Sequence, residues 1–553
     1  MSSDGTASSA SIGDRLRAFG RRIPAPGASP ALTGLVLAVA CGSVAAPLFL
    51  AAYLPFVDYP QHLAAVAAIH RAGDPAFGDF FTLDYSRSPY LLFYLASHAL
   101  AFLLDVESAT RVATVIGVAG FPLALAAYLR ANGRPALYGA LAAGIALNTW
   151  VFWGFVSYAL GITVALAALA VLADALLFPT FRGFALFGVL ALTSFYAHPQ
   201  MYAWLVAASL VQVLASAPAL GARRTIGPAS SALVAGLPSA AAVGYWLARS
   251  DFAASGEASV RNELARLVAG EGARFAPPAE TLGRWLSHSF GVYRDGSGTV
   301  LAQLFFGAVL LLVILRVVET AVPLAPSRFG NLPSWPKTAA PELVLALSVA
   351  AYLFAPVAYK LVEPISHRFL PVALALLAVL GPRDLRRRRV AGWLAGIALL
   401  FLAVQTTRVH APRFERTDAE MGELDDALAR TKPGRRLLGL ISDRASEVVR
   451  LPAYLHAHQY YQARVGGLAA YSFADLPKSP VRYRAGLEPP AFPPRFEWTP
   501  EAFDADRFGP FFDYFLVRTR PGDPAPSLFP PGHPRTPRLV FEGSRWKLYA
   551  NLP

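Results

Sequence analysis

Asp58, Tyr59, Pro60, Gln61 and His62 put a carboxylate and an imidazole one helical turn apart, directly after the first long apolar run, Ala31 to Phe56. Pro60 suits the first turn of a helix, where its missing N–H has no intrahelical partner to lose. Leu63 to Ile69 continue that helix. Asp58 then stands at a helix N-terminus, where the dipole favours an ionised carboxylate. Two roles fit it on residue grounds. One is a plain N-cap. The other is a catalytic base at a membrane surface, taking a proton from an attacking group. His62 is placed to orient that base or to hold a phosphate.

The rest of the chain says what carries these residues. Of 553 residues, 55% are hydrophobic and 15% charged. A soluble protein carries about 25% charged residues, so the chain reads as an α-helical polytopic membrane protein. The net charge of +13 sits mostly in short loops between apolar runs, where it reports topology and not nucleic-acid binding. Cys41 is the single cysteine, so no internal disulfide forms. Residues 1–30, with Arg15, Arg17, Arg21 and Arg22 among Ser, Gly and Pro, read as a disordered cytoplasmic N-terminus before a retained signal anchor.

The basic short loops all share one side if Pro89–Leu104 lies in the interface instead of crossing. About eleven spans then fill 31–405. The first outer loop is 57–108, and a longer one is 248–298. The tail, 406–553, falls outside and reads as a small α/β domain. Thr417-Asp418-Ala419-Glu420 looks like a capping box opening a helix towards Arg430. Arg436–Ile441, Tyr514–Val517 and Trp546–Ala550 read as strands.

On this topology the ionisable groups at span edges gather on the outer face: Asp58, His62, Asp84, Arg87, His198, Lys360, Glu363, His367 and Arg368. Such groups are costly at a membrane edge and mark function. A site there suits a lipid-linked substrate, whose tail stays in the bilayer while its head group emerges. Arg368, beside His367, is placed for a guanidinium fork to grip a lipid phosphate, or to snorkel as an anchor. His62, Arg87, His198 and Lys360 are further candidates for substrate or phosphate. No tight ligand spacing supports a metal, so no cofactor is expected; Asp84 is the weak candidate for a divalent ion with Asp58. His456 and His458 read as surface residues of the tail. Trp150, Trp153, Tyr196 and Tyr202 read as an aromatic belt. Phosphate-loop, dinucleotide and nucleophile-elbow motifs are missing.

Asp58 after the first span, Ser88-Pro89-Tyr90-Leu91-Leu92-Phe93-Tyr94-Leu95, and Trp153-Gly154-Phe155-Val156-Ser157-Tyr158-Ala159-Leu160-Gly161 make the chain similar to the GT-C class of membrane glycosyltransferases. It also resembles uncharacterised bacterial members of that clan. The resemblance implies an inner-membrane enzyme with a periplasmic tail that takes a sugar from a polyprenyl-phosphate donor. It implies inversion at the sugar carbon, with Asp58 in the acidic position as base; on the reading of the residues, Arg368, with His367 or Lys360, would offset the charge of the leaving phosphate. A lipid, a glycan or a protein would be the acceptor. Many members have two adjacent acidic residues where this chain has Asp58-Tyr59. Two rival readings stay open: a lipid or polysaccharide transporter or flippase, and an inactive scaffold on the same fold.

Overall fold

The computed structural model describes residues 29–249, 272–321, 338–359, 362–385, 388–493 and 495–551. Lys360 lies outside the described residues. Among those described, seven helices are long and apolar enough to cross a membrane: Pro30–Leu50, Val106–Ala131, Val156–Leu177, Pro199–Pro218, Arg223–Arg249, Ser297–Ala321 and Arg389–Ala419. Shorter apolar helices, among them Phe181–Ala197, Ala340–Phe354 and Ser366–Leu380, pack between them. Ala136–Thr149, which the apolar pattern reads as the third of the eleven spans, is instead a 3-10 run, Ala136–Ala142, continued by Ala143–Ala146. Nearly every side chain in it is buried, so protein and not lipid surrounds it.

Local chemistry sets the helix starts. Ser29 Oγ accepts from Leu32 N at 3.2 Å, ahead of Pro30. Asp105 Oδ1 accepts from Ser108 N at 2.9 Å and opens Val106–Ala131. That helix crosses Val156–Leu177 at a small residue. Thr163 Oγ1 donates to the Gly117 carbonyl at 2.7 Å, and a Cβ on Gly117 would stand 3.0 Å from Leu160 N. Small residues at such crossings let two backbones approach without a hydrophobic drive.

The Pro89–Leu104 stretch holds the helix Leu91–Leu100, ten residues long, about half of what a crossing needs. The expected capping box is not formed. The last membrane helix runs unbroken through Arg389–Ala419, and Leu424–Leu428 is a separate short helix. Thr417 lies inside the long helix, its hydroxyl donating back to the Arg413 carbonyl at 2.9 Å. With that hydroxyl satisfied locally, no side chain competes for the helix amides there.

The tail holds a five-stranded mixed sheet. In chain order its strands are β2 (Arg435–Ile441), β3 (Gly467–Ala469), β5 (Tyr514–Arg518), β6 (Arg538–Glu542) and β7 (Trp546–Ala550). Their spatial order is β3-β2-β5-β7-β6. β2 is parallel to β3 and β5, while β7 is antiparallel to β5 and β6. The tail also grips the membrane part directly. β1 (Phe81–Leu83) pairs antiparallel with β4 (Val481–Tyr483), with Thr82 opposite Arg482. Arg464 makes a two-pronged bond to Glu107, Nε to Oε2 at 3.1 Å and Nη2 to Oε1 at 3.0 Å. Its guanidinium also lies over the Tyr53 ring, 4.6 Å from the centroid.

Candidate functional site

The helix Tyr59–His70 begins where the sequence places it, with Asp58 at the N-cap position, but the Asp58 side chain makes no capping bond. Its carboxylate turns instead to the tail: His456 Nε2 lies 3.3 Å from Asp58 Oδ1. Two backbone bonds hold Asp58 in place, Val57 N to Phe152 O at 2.9 Å and Asp58 N to Trp153 O at 3.2 Å. The chain reverses behind it at Gly154, φ +95°.

A cavity of about 500 Å³ opens here. Its walls come from five separate stretches of chain. They carry three carboxylates (Asp58, Glu363, Glu497), two imidazoles (His367, His456) and three indoles (Trp150, Trp153, Trp498). Glu363 ion-pairs with Arg274, and Glu497 Oε1 accepts from Trp498 Nε1 at 3.0 Å. Burial lowers the pKa of His367 from its usual value. Its ring stacks on His288 at 3.8 Å, and its carbonyl accepts from Trp150 Nε1 at 3.1 Å.

Arg368 sits behind the Phe155 wall, its guanidinium 4.2 Å from the ring centroid. It is buried, and its polar contacts are weak. Nη1 faces His198 Nε2 at 3.5 Å, Nη2 donates to the Glu363 carbonyl at 3.4 Å, and Nε has no partner. Tyr158 and Gln200 fix the backbone around it, the first bonding to the Arg368 carbonyl and the second to the Ile365 carbonyl at 2.7 Å. Lys478, from the tail, is close enough that burial and then the Arg368 charge lower its pKa. His198 is pushed well below its usual value by burial, then by Arg368 and Lys478. Among the described residues no carboxylate ion-pairs with Arg368 or Lys478. A buried cation ordinarily has a counter-charge, and the carboxylate whose charge acts on Arg368 is Asp58.

Asp58, His367, Arg368 and His198 are thus brought together. His62 is near but does not line the cavity, and its Nδ1 meets Tyr94 Oη at 2.9 Å. Burial pushes its pKa down to about 4, offset in part by Asp58 and the Gly154 carbonyl. Arg87 and Asp84 pair with each other at 3.4 Å and do not line the cavity. Asp84 Oδ1 also accepts from Ser86 N and Oγ, at 3.1 and 2.6 Å. Among the described residues no group of three metal-type ligands forms.

No known family's profile matches the sequence, and no curated protein matches it. Solved structures do. The chain superposes on ArnT from Cupriavidus metallidurans bound to undecaprenyl phosphate with a TM-score of 0.52 and 12% identity, covering 95% of this chain and 99% of that one. The same protein in its apo state gives 0.50 and 11%, over 94% and 97%. The chain has the GT-C fold. It is a membrane protein, mostly helical, with a strand-containing domain at its C-terminal end.

In this GT-C fold the tail brings to the cavity residues that sequence reasoning missed. His456 and His458, expected at the surface, are 6% and 1% exposed. They sit between the Tyr59–His70 helix and the sheet, where His458 Nε2 bonds to the Ala470 carbonyl at 2.8 Å. One signal was available. Ala453 to Gln462 contains aromatics, two histidines and two glutamines but no Asp, Glu, Lys or Arg, which is unlike an exposed helix or loop. Glu497, Trp498 and Lys478 carried no such signal.

Proposed function

We propose that this protein is a glycosyltransferase that moves a sugar from a polyprenyl-phosphate donor to a hydroxyl acceptor at the periplasmic face of the bacterial inner membrane. The observation that carries the reading is Arg368: a buried guanidinium with no ion-paired carboxylate among the described residues, bonded weakly to His198 and packed behind the Phe155 wall of the cavity that Asp58 lines. The donor phosphate would occupy the cationic side, with its lipid tail in the bilayer. The sugar would lie in the cavity, its ring faces against indoles and its hydroxyls towards carboxylates. Binding of undecaprenyl phosphate by a protein of the same fold supports a polyprenyl phosphate as the lipid partner.

The acceptor hydroxyl attacks the anomeric carbon on the face opposite the phosphate. The new C–O bond forms as the C–O bond to phosphate breaks, and its electron pair leaves on the phosphate oxygen. Asp58 takes the hydroxyl proton. Arg368 and Lys478 offset the charge that grows on the phosphate as the bond breaks. The configuration at carbon inverts. All of this needs side chains only, and no step calls for a metal.

The test is lipid binding. Arg368→Ala is expected to weaken undecaprenyl phosphate binding to the purified protein at least tenfold, on the scale of about 1.5–3 kcal/mol for a hydrogen bond to a charged group. Arg368→Lys restores it only in part because the fork is lost. Unchanged affinity in Arg368→Ala would assign Arg368 to anchoring and remove the donor site.

A further inference from the structure

Asp58 does not meet the cavity alone. His456 Nε2 stands 3.3 Å from its Oδ1, with 7% of the histidine side chain and 20% of the aspartate side chain exposed. On the far side of the imidazole, Gln61 Nε2 lies 3.0 Å from His456 Nδ1. An amide N–H only donates, so Nδ1 accepts, and the ring proton belongs on Nε2, aimed at Asp58. The segment around His456 is held on both sides. Gln462 Nε2 donates to the Ala64 carbonyl at 3.4 Å, on the helix that Asp58 precedes. Tyr454 Oη donates to the Thr417 carbonyl at 3.1 Å, and the Arg464–Glu107 fork closes the far end.

We infer that His456 is a positioning residue for Asp58, delivered by the tail domain, with Gln61 setting its tautomer. The Nε2–H bond ties one carboxylate oxygen and fixes the side-chain rotamer. The other oxygen, Oδ2, is left to take the acceptor proton. In this role the imidazole passes no proton on. The base is therefore complete only when the tail is docked on the first loop, and the tail is a working part of the site. This rests on the reading of Asp58 as the base.

The experiment is steady-state kinetics on the full chain. The probe is a panel of radiolabelled undecaprenyl-phosphate pentoses and hexoses, with envelope membranes lacking the enzyme as acceptor. With a sugar the unaltered protein transfers, His456→Leu is expected to lower kcat at least about tenfold, a fraction of what a misplaced catalytic group costs. KM for the donor should stay within about threefold, since the effect lies in the transition state. His456→Gln keeps an N–H within reach of Asp58 and is expected to recover most of the loss. Asp58→Asn/His456→Leu is expected to be no slower than Asp58→Asn, because the two act as one unit. Normal kcat in His456→Leu, or multiplied losses in the double variant, overturns the inference. Should His456→Leu not fold, Gln61→Leu leaves the imidazole in place and frees its tautomer, and an unchanged kcat there is equally fatal. Failure of the base reading looks different: Asp58→Asn itself would then turn over normally.

Discussion

Asp58 packs directly against the backbone of Gly154. A Cβ on Gly154 would stand 2.7 Å from the Asp58 Cβ and 2.6 Å from its nitrogen, and Gly154 has φ +95°, a region L side chains rarely adopt. Gly154→Ala is therefore expected to push Asp58 out of place and to cost about 1–3 kcal/mol of stability through backbone strain. Thermal melting measures the second effect and transfer assays the first. A variant as stable and as active as the parent would mean that the Trp153–Phe155 turn does not hold Asp58.

Asp58→Asn separates the two roles that the sequence left open. Asparagine caps about as well as aspartate, and here there is no capping bond to lose. The variant is expected to insert and melt like the parent. Its transfer rate is expected to fall at least about 100-fold, the lower end of what a general base contributes. Donor affinity should change much less. Near-normal transfer would take Asp58 out of the mechanism.

Acid should destabilise the fold through histidines buried neutral. Burial pushes the pKa of His62 down to about 4 and that of His458 to about 3. Both values lie below that of an unfolded imidazole, about 6.5. The folded state thus binds fewer protons. The stability these groups contribute is full above about pH 6.5 and is lost as pH falls from there towards the folded values. The melting temperature is expected to drop between about pH 6 and pH 4, and less steeply in His62→Gln. A melting temperature that rose on acidification would contradict the burial of these rings.

Sidedness is open to a direct test. The basic short loops predict that alkaline phosphatase fused after Pro553 is active and fused after Arg389 inactive. The reverse pattern would place the tail, and with it the cavity, in the cytoplasm. The periplasmic acceptor would then be excluded.

Much of this protein is legible in its sequence because hydropathy, charge bias and alternation are local properties. The seven long apolar helices, the short Leu91–Leu100 helix, and strands β2, β5 and β7 all lie on stretches whose composition already states their environment. Asp58 was conspicuous because it follows an apolar run and precedes a proline. The capping pattern at Thr417 misled because a capping box and a helix interior differ only in what the neighbouring turns do. What no local pattern states is which distant segments meet. The pairing of β1 with β4 and the Arg464–Glu107 fork bring the tail onto the first loop. Only then do His456 and Asp58 become partners, and only then does Lys478 feel the Arg368 charge. The sequence alone determined a membrane protein with a carboxylate and a guanidinium on one face. Tertiary structure alone decided that Asp58 lines a cavity with Arg368 behind its Phe155 wall and that the tail supplies part of the lining, because backbone pairing and side-chain ion pairs join residues that share no local signal.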